Sequence, residues 1–415
     1  MYTAPRGTTD ILPEEQPYWR YVEQKASRVC QLYGYERIDS PIFEDTRLFI
    51  KGTGETTDIV QKEMYTFQDR SGNSLTLKPE GTPSVCRAYL EHGYNNLPQP
   101  VKLFYLTPIF RYERPQAGRY RQHYQFGCEA IGEADASLDA EVIDLAWQFL
   151  KSLGLHKLLL FINSIGGPKC RPSYLKTLRE YFSRHIDELC ADCKARLERN
   201  VLRLLDCKQP SCQKLAAQAP KNIDYLCSEC AEHFRKLKDC LELLGLPFEV
   251  NPNLVRGLDY YTRTVFEIQP EEQRVQSTIC GGGRYDGLIE TLGGKPTPGI
   301  GFGIGIERII LNLKKERIEI PPLSSPRVFI AYVGNSAREE AIILTAQLRR
   351  GGIPVIGATS SRSLKSQLRQ ANSLKIPKAV IIGDDEVKTA TAILRDMATS
   401  QQTTVSMKEL AALLR

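Results

Sequence analysis

The chain has 415 residues, 42% of them hydrophobic and 25% charged, with 55 Lys+Arg against 49 Asp+Glu. This length exceeds one ordinary core and predicts two or three domains of a soluble protein; no apolar run approaches the ~20 residues of a membrane helix, and the acid-containing start MYTAPRGTTDILPEE shows no targeting segment. The net charge of +6 is unevenly placed: residues 326–415 hold 13 Lys+Arg and 7 Asp+Glu, the first 325 residues balance at 42 and 42, and a polyanion partner is expected at the C-terminal end.

In chain order, apolar positions Tyr18, Val22, Ala26, Val29 and Tyr33 predict a helix over about 14–32, ended by Gly34. A short strand at Tyr35-Glu-Arg-Ile and Pro41 follow. Residues 51–69 are polar and turn-rich, and Ser74-Leu-Thr-Leu begins a strand that Pro79 and Gly81 end, leaving Glu80 and Thr82 at its exit. After a helix at 83–92, two alternating stretches flank a basic loop: Val101-Lys-Leu-Phe-Tyr-Leu before it and Tyr124-Gln-Phe-Gly-Cys-Glu-Ala-Ile after it. This hairpin allows Arg111, Glu113, Gln125 and Glu129 to share one sheet face, since side chains of equal parity point the same way. A dry face with both signs of charge is costly unless something polar lies on it. A helix at about 137–153 and a strand at 155–161 complete this region.

Residues 170–246 are helical, charged and cysteine-rich, with seven of the chain's twelve cysteines between Cys190 and Cys240. Cys190-Ala-Asp-Cys193 and Cys227-Ser-Glu-Cys230 form two C-x2-C knuckles, a pattern for structural zinc, although their separation is wider than usual. The competing reading is a set of small buried thiols, and the scattered cysteines as a whole favour a reducing cytoplasm. Arg256-Gly-Leu-Asp-Tyr-Tyr261 then leads into an alternating strand, and Gly281-Gly-Gly-Arg-Tyr-Asp-Gly287 allows close backbone approach. In Gly299-Ile-Gly-Phe-Gly-Ile-Gly305 one strand face has no side chains, which calls for a flat object or another backbone to pack there. This run does not fit G-x-G-x-x-G, so a dinucleotide fingerprint is rejected. Glu307 and Arg308 open the next helix. Past the linker Ile320-Pro-Pro-Leu-Ser-Ser-Pro326, the pattern is α/β: strands at 327–333, 354–357 and 379–383, helices at 337–350 and 364–373, then two strands and a short helix from Ala390. Arg362, Lys365 and Arg369 share one face of the second helix.

This ordered set of motifs closely resembles the histidyl-tRNA synthetases, class II aminoacyl-tRNA synthetases, over nearly the whole chain. Helix 14–33 with Pro41 is similar to class II motif 1, Phe110-Arg-Tyr-Glu113 and its loop to motif 2, and Gly301–Arg308 to motif 3. Arg256–Tyr261 and Gly282–Gly287 resemble the two signatures peculiar to the histidine enzymes. The resemblance implies an α+β fold: an antiparallel sheet flanked by helices over 1–325, a helical insertion at about 170–246 and an α/β anticodon-binding domain at 326–415. It implies ATP-dependent formation of histidyl-adenylate and transfer to tRNA(His), with Mg2+ accompanying ATP, in a cytoplasmic homodimer. Arg111 and Arg256 would flank the α-phosphate, Arg308 would hold the γ-phosphate and adenine, and Glu113 would contact adenine over Gly303 and Gly305. Glu80, Thr82 and Gln125 would take the amino group of histidine. Glu129, Tyr261 and Tyr285 would read its ring, with Tyr260 beside them. Arg114, Gln116 and Arg119 would face the tRNA acceptor end, Arg119 also reaching ATP. The cysteine-rich insertion is expected to leave the chemistry unaffected. The runner-up is a catalytically silent regulatory subunit of ATP phosphoribosyltransferase, which is expected to lack both the basic C-terminal domain and the Arg256 signature.

Overall fold

Alternation of apolar residues along Val101–Phe110 and Gln122–Ile131 produces two long antiparallel strands paired from Val101↔Ile131 to Phe110↔Gln122. The computed structural model describes residues 2–114, 118, 120–271, 278–323, 326–359 and 362–414. It divides into two compact units, Met1–Pro321 and Pro322–Arg415.

The first unit is built on an eight-stranded sheet in the order Glu36–Arg37, Val101–Phe110, Gln122–Ile131, Gly299–Gly305, Cys280–Arg284, Thr262–Pro270, Leu158–Ser164, Glu249–Val250. The central six are antiparallel throughout; the two-residue edge strands pair parallel, so the sheet is mixed rather than purely antiparallel. One face is apolar: Phe104, Phe126, Cys128, Phe266, Phe302 and Ile304 pack against helices Gln16–Leu32, Ala136–Ser152, Ser228–Leu243 and Ile306–Lys315. Burying that face supplies the main hydrophobic driving force. The opposite parity carries Tyr105, Gln125, Glu129, Gly281, Gly283 and the glycines of Gly299–Gly305, so the polar side chains emerge away from the helical layer.

The stretch read as polar turns folds further than expected. Asp45 caps a helix at Thr46–Thr53 by accepting from the Arg47 N–H, and a π-helical turn at Ile59–Glu63 precedes the strand Thr66–Gln68. Helix Thr82–Glu91 begins one residue after Gly81. The excursion between Ser164 and Glu249 is helical, with helices at Arg171–Arg184, Ala191–Arg199, Pro210–Gln218 and Ser228–Leu243. The first three, with Leu254, Val255, Tyr261 and Val265, enclose a second core.

In the second unit a five-stranded sheet runs Val355–Gly357, Val328–Val333, Lys378–Gly383, Thr391–Asp396, Gln402–Ser406, the first three parallel and the last two antiparallel. Alternate residues of Val328–Val333 enter two cores, Val328, Ile330 and Tyr332 on one side and Phe329 and Ala331 on the other. Helices Asn335–Arg350 and Leu364–Ser373 supply the covering layers. Helix Asp384–Thr389 is absent from the periodicity reading because DDEVKT offers almost no apolar repeat.

Candidate active site

A cavity of about 600 Å³ lies on the polar face of the central sheet. It joins, through shared lining by Arg111, Gln125, Arg256, Gly281, Gly303 and Arg308, a recess of about 160 Å³ that also reaches Gly305 and Glu307. Residues of the 110–113 and 301–308 motifs and of Arg256–Tyr261 therefore line one place, with Gly281 just before the Gly282–Gly287 signature, whereas no residue of helix 14–33 lines it.

Glycine spacing explains how the sheet makes room. On Gly299–Gly305 a Cβ at Gly301 would lie 1.9 Å from Glu129 Oε2, and one at Gly303 would lie 2.2 Å from Gln125 Nε2. At Gly299 it would meet the Tyr285 ring at 2.3 Å. The bare face is thus filled, over most of its length, by the side chains of Tyr285, Glu129 and Gln125 rather than by the flat object or second backbone expected there. Only at Gly305 is there open space, with nothing but Arg308 carbons at 3.9 Å. Gly281 serves the same purpose for Arg256, whose guanidinium would stand 2.2 Å from a Cβ there.

At one end of the cavity two buried carboxylates stand on either side of Thr82. Glu80 accepts from Thr53 Oγ1 at 2.5 Å and from the Tyr260 hydroxyl at 2.7 Å. Glu129, fully buried, accepts from Thr82 Oγ1 at 2.7 Å, from Tyr285 at 2.7 Å and from Tyr105 at 3.2 Å. Burial raises the pKa of both groups, and hydroxyl donors offset it only in part; Glu129 is pushed up to about 8. Gln125 lines the cavity, and its Oε1 is buried with no hydrogen-bond partner among the described residues. Tyr260 and Tyr261 line the cavity, whereas Glu129 and Tyr285 lie beneath it, bonded to each other. Neither Glu129 nor Tyr285 lines the cavity itself; Glu129 is joined to it through Thr82, which does.

Three arginines line the same cavity, Arg111 beside Glu113 and Arg256 paired with Glu267. Arg111 extends past its strand and donates from Nε to Pro79 O at 2.7 Å, with Glu113 Oε1 3.9 Å from its Nη1. Arg308, near the start of helix Ile306–Lys315, donates to Gly118 O at 3.1 Å and to Thr278 O at 2.7 Å. Arg256 is ion-paired with Glu267, which also accepts from Thr278 at 2.8 Å and from Gln269 at 3.0 Å. Burial first, and then the charges of Arg111 and Arg308, depress His123 to about 3. Arg114 is exposed beyond the hairpin end, while Gln116 and Arg119 lie outside the described residues.

Several lining groups escaped sequence reasoning. Glu267 was legible in principle, because it stands directly opposite Gly281 across the sheet, on the same face as Gly303. Tyr105, opposite Gly127, fills the space over both Gly127 and Gly81. The insertion contributes Cys190, Asp192, Arg196, Arg203, Asp206 and Lys208 to the cavity wall, a structural part in the site that the sequence did not reveal. The zinc pairing also fails: Cys190 and Cys193 gather with Cys207 and Cys212, and Cys227 and Cys230 with Cys170. Sequence adjacency identified the two knuckles but not which thiols the helices bring to each.

A family model described as histidyl-tRNA synthetase matches residues 7–309, and one described as anticodon binding domain matches 327–415. The histidine–tRNA ligase of Dehalococcoides mccartyi is 59% identical over 410 residues, covering 99% of this chain and 98% of that protein. The crystal structure of apo Staphylococcus aureus histidyl-tRNA synthetase matches with a TM-score of 0.84 at 38% identity, covering 100% of both chains. A structure from Bacillus halodurans described as an ATP phosphoribosyltransferase regulatory subunit/histidyl-tRNA synthetase matches with a TM-score of 0.66 at 23% identity over 92% of this chain, a likeness of fold alone. The central sheet flanked by helices, with a C-terminal domain on its own sheet, is the class II aminoacyl-tRNA synthetase architecture. Within that class, the chain belongs to the histidyl-tRNA synthetase family.

Proposed function

We propose that this chain ligates L-histidine to tRNA(His) in two steps. The observation that carries the reading is the mixed charge of the cavity: buried Glu80 lines it, with Glu129 behind Thr82, together with Arg111, Arg256 and Arg308. Such a site suits a small cationic amino acid lying in line with a polyphosphate.

In the first step a carboxylate oxygen of histidine attacks the α-phosphorus of ATP, the bond to the β-phosphate oxygen breaks, and pyrophosphate leaves. Arg111 and Arg256 hold the α-phosphate from two sides and neutralise its developing charge. Arg308 holds the γ-phosphate and lies against adenine, Glu113 contacts the base, and the base rests at the open backbone of Gly305, with Gly303 and the Gln125 side chain over it next along the strand. Arg119 reaches ATP from the hairpin loop. Magnesium enters with ATP as part of the substrate, on phosphate oxygens and water.

Glu80, Thr82 and Gln125 take the α-ammonium group, with Tyr260 fixing Glu80 through its hydroxyl. Glu129, Tyr261 and Tyr285 read the imidazole; to reach Glu129, the ring takes over one of the three hydroxyl bonds that this carboxylate now accepts. An amino acid without a ring N–H leaves that carboxylate short of a donor and is rejected accordingly. In the second step a ribose hydroxyl of the terminal adenosine attacks the acyl carbon and AMP leaves, with Arg114 and Gln116 contacting the acceptor end.

The division of labour we infer assigns this chemistry to residues 1–325, with the insertion at about 170–246, and anticodon recognition to residues 326–415. Helix Gln16–Leu32 and the following segment would form a homodimer interface. A cytoplasmic location follows from the pool of tRNA and ATP, and suits twelve cysteines that are all free thiols. Among the described residues no helix is long and apolar enough to cross a membrane. The deciding measurement is ATP–pyrophosphate exchange with each amino acid in turn: exchange is expected with histidine, and its absence would overturn the reading, including in favour of a silent regulatory subunit.

A further inference from the structure

The insertion brings four cysteines from three separate segments to one point. The sulfurs of Cys190, Cys193, Cys207 and Cys212 all lie within 4.8 Å of one another. Sulfurs sharing a tetrahedral zinc at Zn–S distances of about 2.3 Å sit about 3.8 Å apart, and Cys190 Sγ to Cys207 Sγ is 3.9 Å. Cys193 and Cys212 are fully buried and Cys207 nearly so. Cys190 caps helix Ala191–Arg199, placing Cys193 in its first turn, and Cys212 lies at the start of helix Pro210–Gln218. The spacings, C-x2-C and C-x4-C, are both within the usual range for zinc ligands.

The backbone supports thiolates at this point. The Cys193 N–H lies 3.4 Å from Cys190 Sγ, and the Cys190 N–H lies 3.3 Å from Cys212 Sγ. Donors of this kind stabilise the charge that four sulfurs acquire on binding a metal. Four thiols in an apolar core without a metal would satisfy one another poorly, because sulfur is a weak donor and a weak acceptor.

We propose that these four cysteines bind one structural Zn2+ as a tetrathiolate, and that the metal fixes the wall of the active-site cavity. Binding converts four thiols to thiolates, releases four protons and changes no oxidation state. The ligands bracket residues 194–206, and this span carries contacts that join the insertion to the catalytic unit, beside the one that Arg171 makes with Tyr261 O. Arg196 pairs with Asp58 at 3.1 Å, and Asn200 Nδ2 donates to Asp259 Oδ1 at 2.7 Å, within the Arg256–Tyr261 signature. Arg203 and Asp206, on the same span, and Lys208, next to Cys207, line the cavity. The metal therefore acts as a positioning element and touches no reacting atom.

The test is metal analysis of the full chain purified under reducing conditions, followed by exchange into cobalt. Bound zinc of at least one per chain is expected, together with a cobalt spectrum showing the intense thiolate charge-transfer and visible bands of a tetrahedral tetrathiolate. Cys212→Ser should contain one zinc fewer than the unaltered protein, whereas Cys240→Ser, in the same insertion but outside both thiol clusters, should retain the full content. The proposal is overturned by zinc at background level both as purified and after zinc addition, or by Cys212→Ser retaining the full complement. It is equally overturned if the cobalt spectrum is not that of four thiolates, a readout on the unaltered protein that does not depend on whether the variants fold.

Discussion

Arg256 shows how a single side chain acquires a task from its surroundings. It sits over a glycine, and Glu267 holds it by an ion pair while Thr278 and Gln269 hold Glu267 in turn. Arg256→Ala should slow histidine-dependent pyrophosphate exchange at least ~100-fold, in line with the loss of one preorganised charge-stabilising donor. The fold should persist, because two neutral donors still engage Glu267; an unchanged exchange rate would remove Arg256 from the phosphate site. Glu129 yields a second prediction through its raised pKa. A cationic ligand favours the ionised carboxylate, so histidine binding near pH 7 should release protons as Glu129, at about 8 in the free protein, gives up its own. Titration calorimetry in phosphate and in Tris should therefore give different apparent enthalpies, and identical values would contradict this linkage. The same shift affects stability in a definite direction. The native carboxyl holds its proton to higher pH than the unfolded one, so its contribution is full below the ordinary glutamate range and is lost as pH rises to about 8. Glu129→Gln should flatten that decline in a denaturant series from pH 5 to pH 8.

Among the elements, the glycine strand divides into positions of different kinds. At Gly301 a methyl group would meet the Cys128 carbonyl oxygen at 2.5 Å as well as Glu129, so backbone and side chain both oppose it. Gly301→Ala should lower stability by roughly 1–3 kcal/mol, the range for overpacking in a closed site. Gly305→Ala meets only ordinary contacts at 3.9 Å in the free protein. It should leave the melting temperature near its original value while raising the KM for ATP about tenfold, the scale of one misplaced methyl group. A normal KM would place the nucleotide elsewhere. The hairpin Val101–Phe110 and Gln122–Ile131 was legible in the sequence because two long stretches rich in apolar and β-forming residues flank a loop, although the alternation is only partial: Leu103–Tyr105 and Phe126–Ile131 are buried at successive positions. The helix Thr46–Thr53 was not, since its eight residues show too little periodicity and its main start signal is the single cap Asp45. The glycine face was recognised as unusual, but its purpose was only half legible. Register decides that Gly301 stands opposite Glu129 and Gly305 opposite Gln125, and register is a property of the paired strands rather than of either alone. The thiols failed for a related reason: Cys207 and Cys212 join Cys190 and Cys193 only after the intervening chain has turned back on itself.

For the whole molecule, charge and chemistry occupy different units. The catalytic unit has its own cores and contains the entire described cavity, while the excess positive charge follows residue 325. A chain ended after residue 321 should therefore keep histidine-dependent pyrophosphate exchange within about twofold, yet lose most tRNA charging. Loss of exchange as well would show that the second unit is needed for the chemistry. The division into a long mixed region and an α/β tail was visible in the Pro-rich linker, because such composition interrupts every periodic pattern. The insertion's part in the cavity was not visible, because it depends on contacts such as Arg196 with Asp58, which are 138 residues apart in the chain.

The crowded side of Gly299–Gly305 bears on how this protein can change over generations. Three of its alternate positions are occupied by side chains proposed above to hold histidine: Tyr285 at Gly299, Glu129 at Gly301 and Gln125 at Gly303. A mutation that reshapes amino-acid selection by altering any of these partners leaves a hole above a bare backbone, and one that enlarges a glycine evicts its partner. Drift toward a different amino acid consequently requires paired substitutions on two strands at once. A strand with almost no side chains on one face is, for that reason, a barrier to single-step changes in the genetic code.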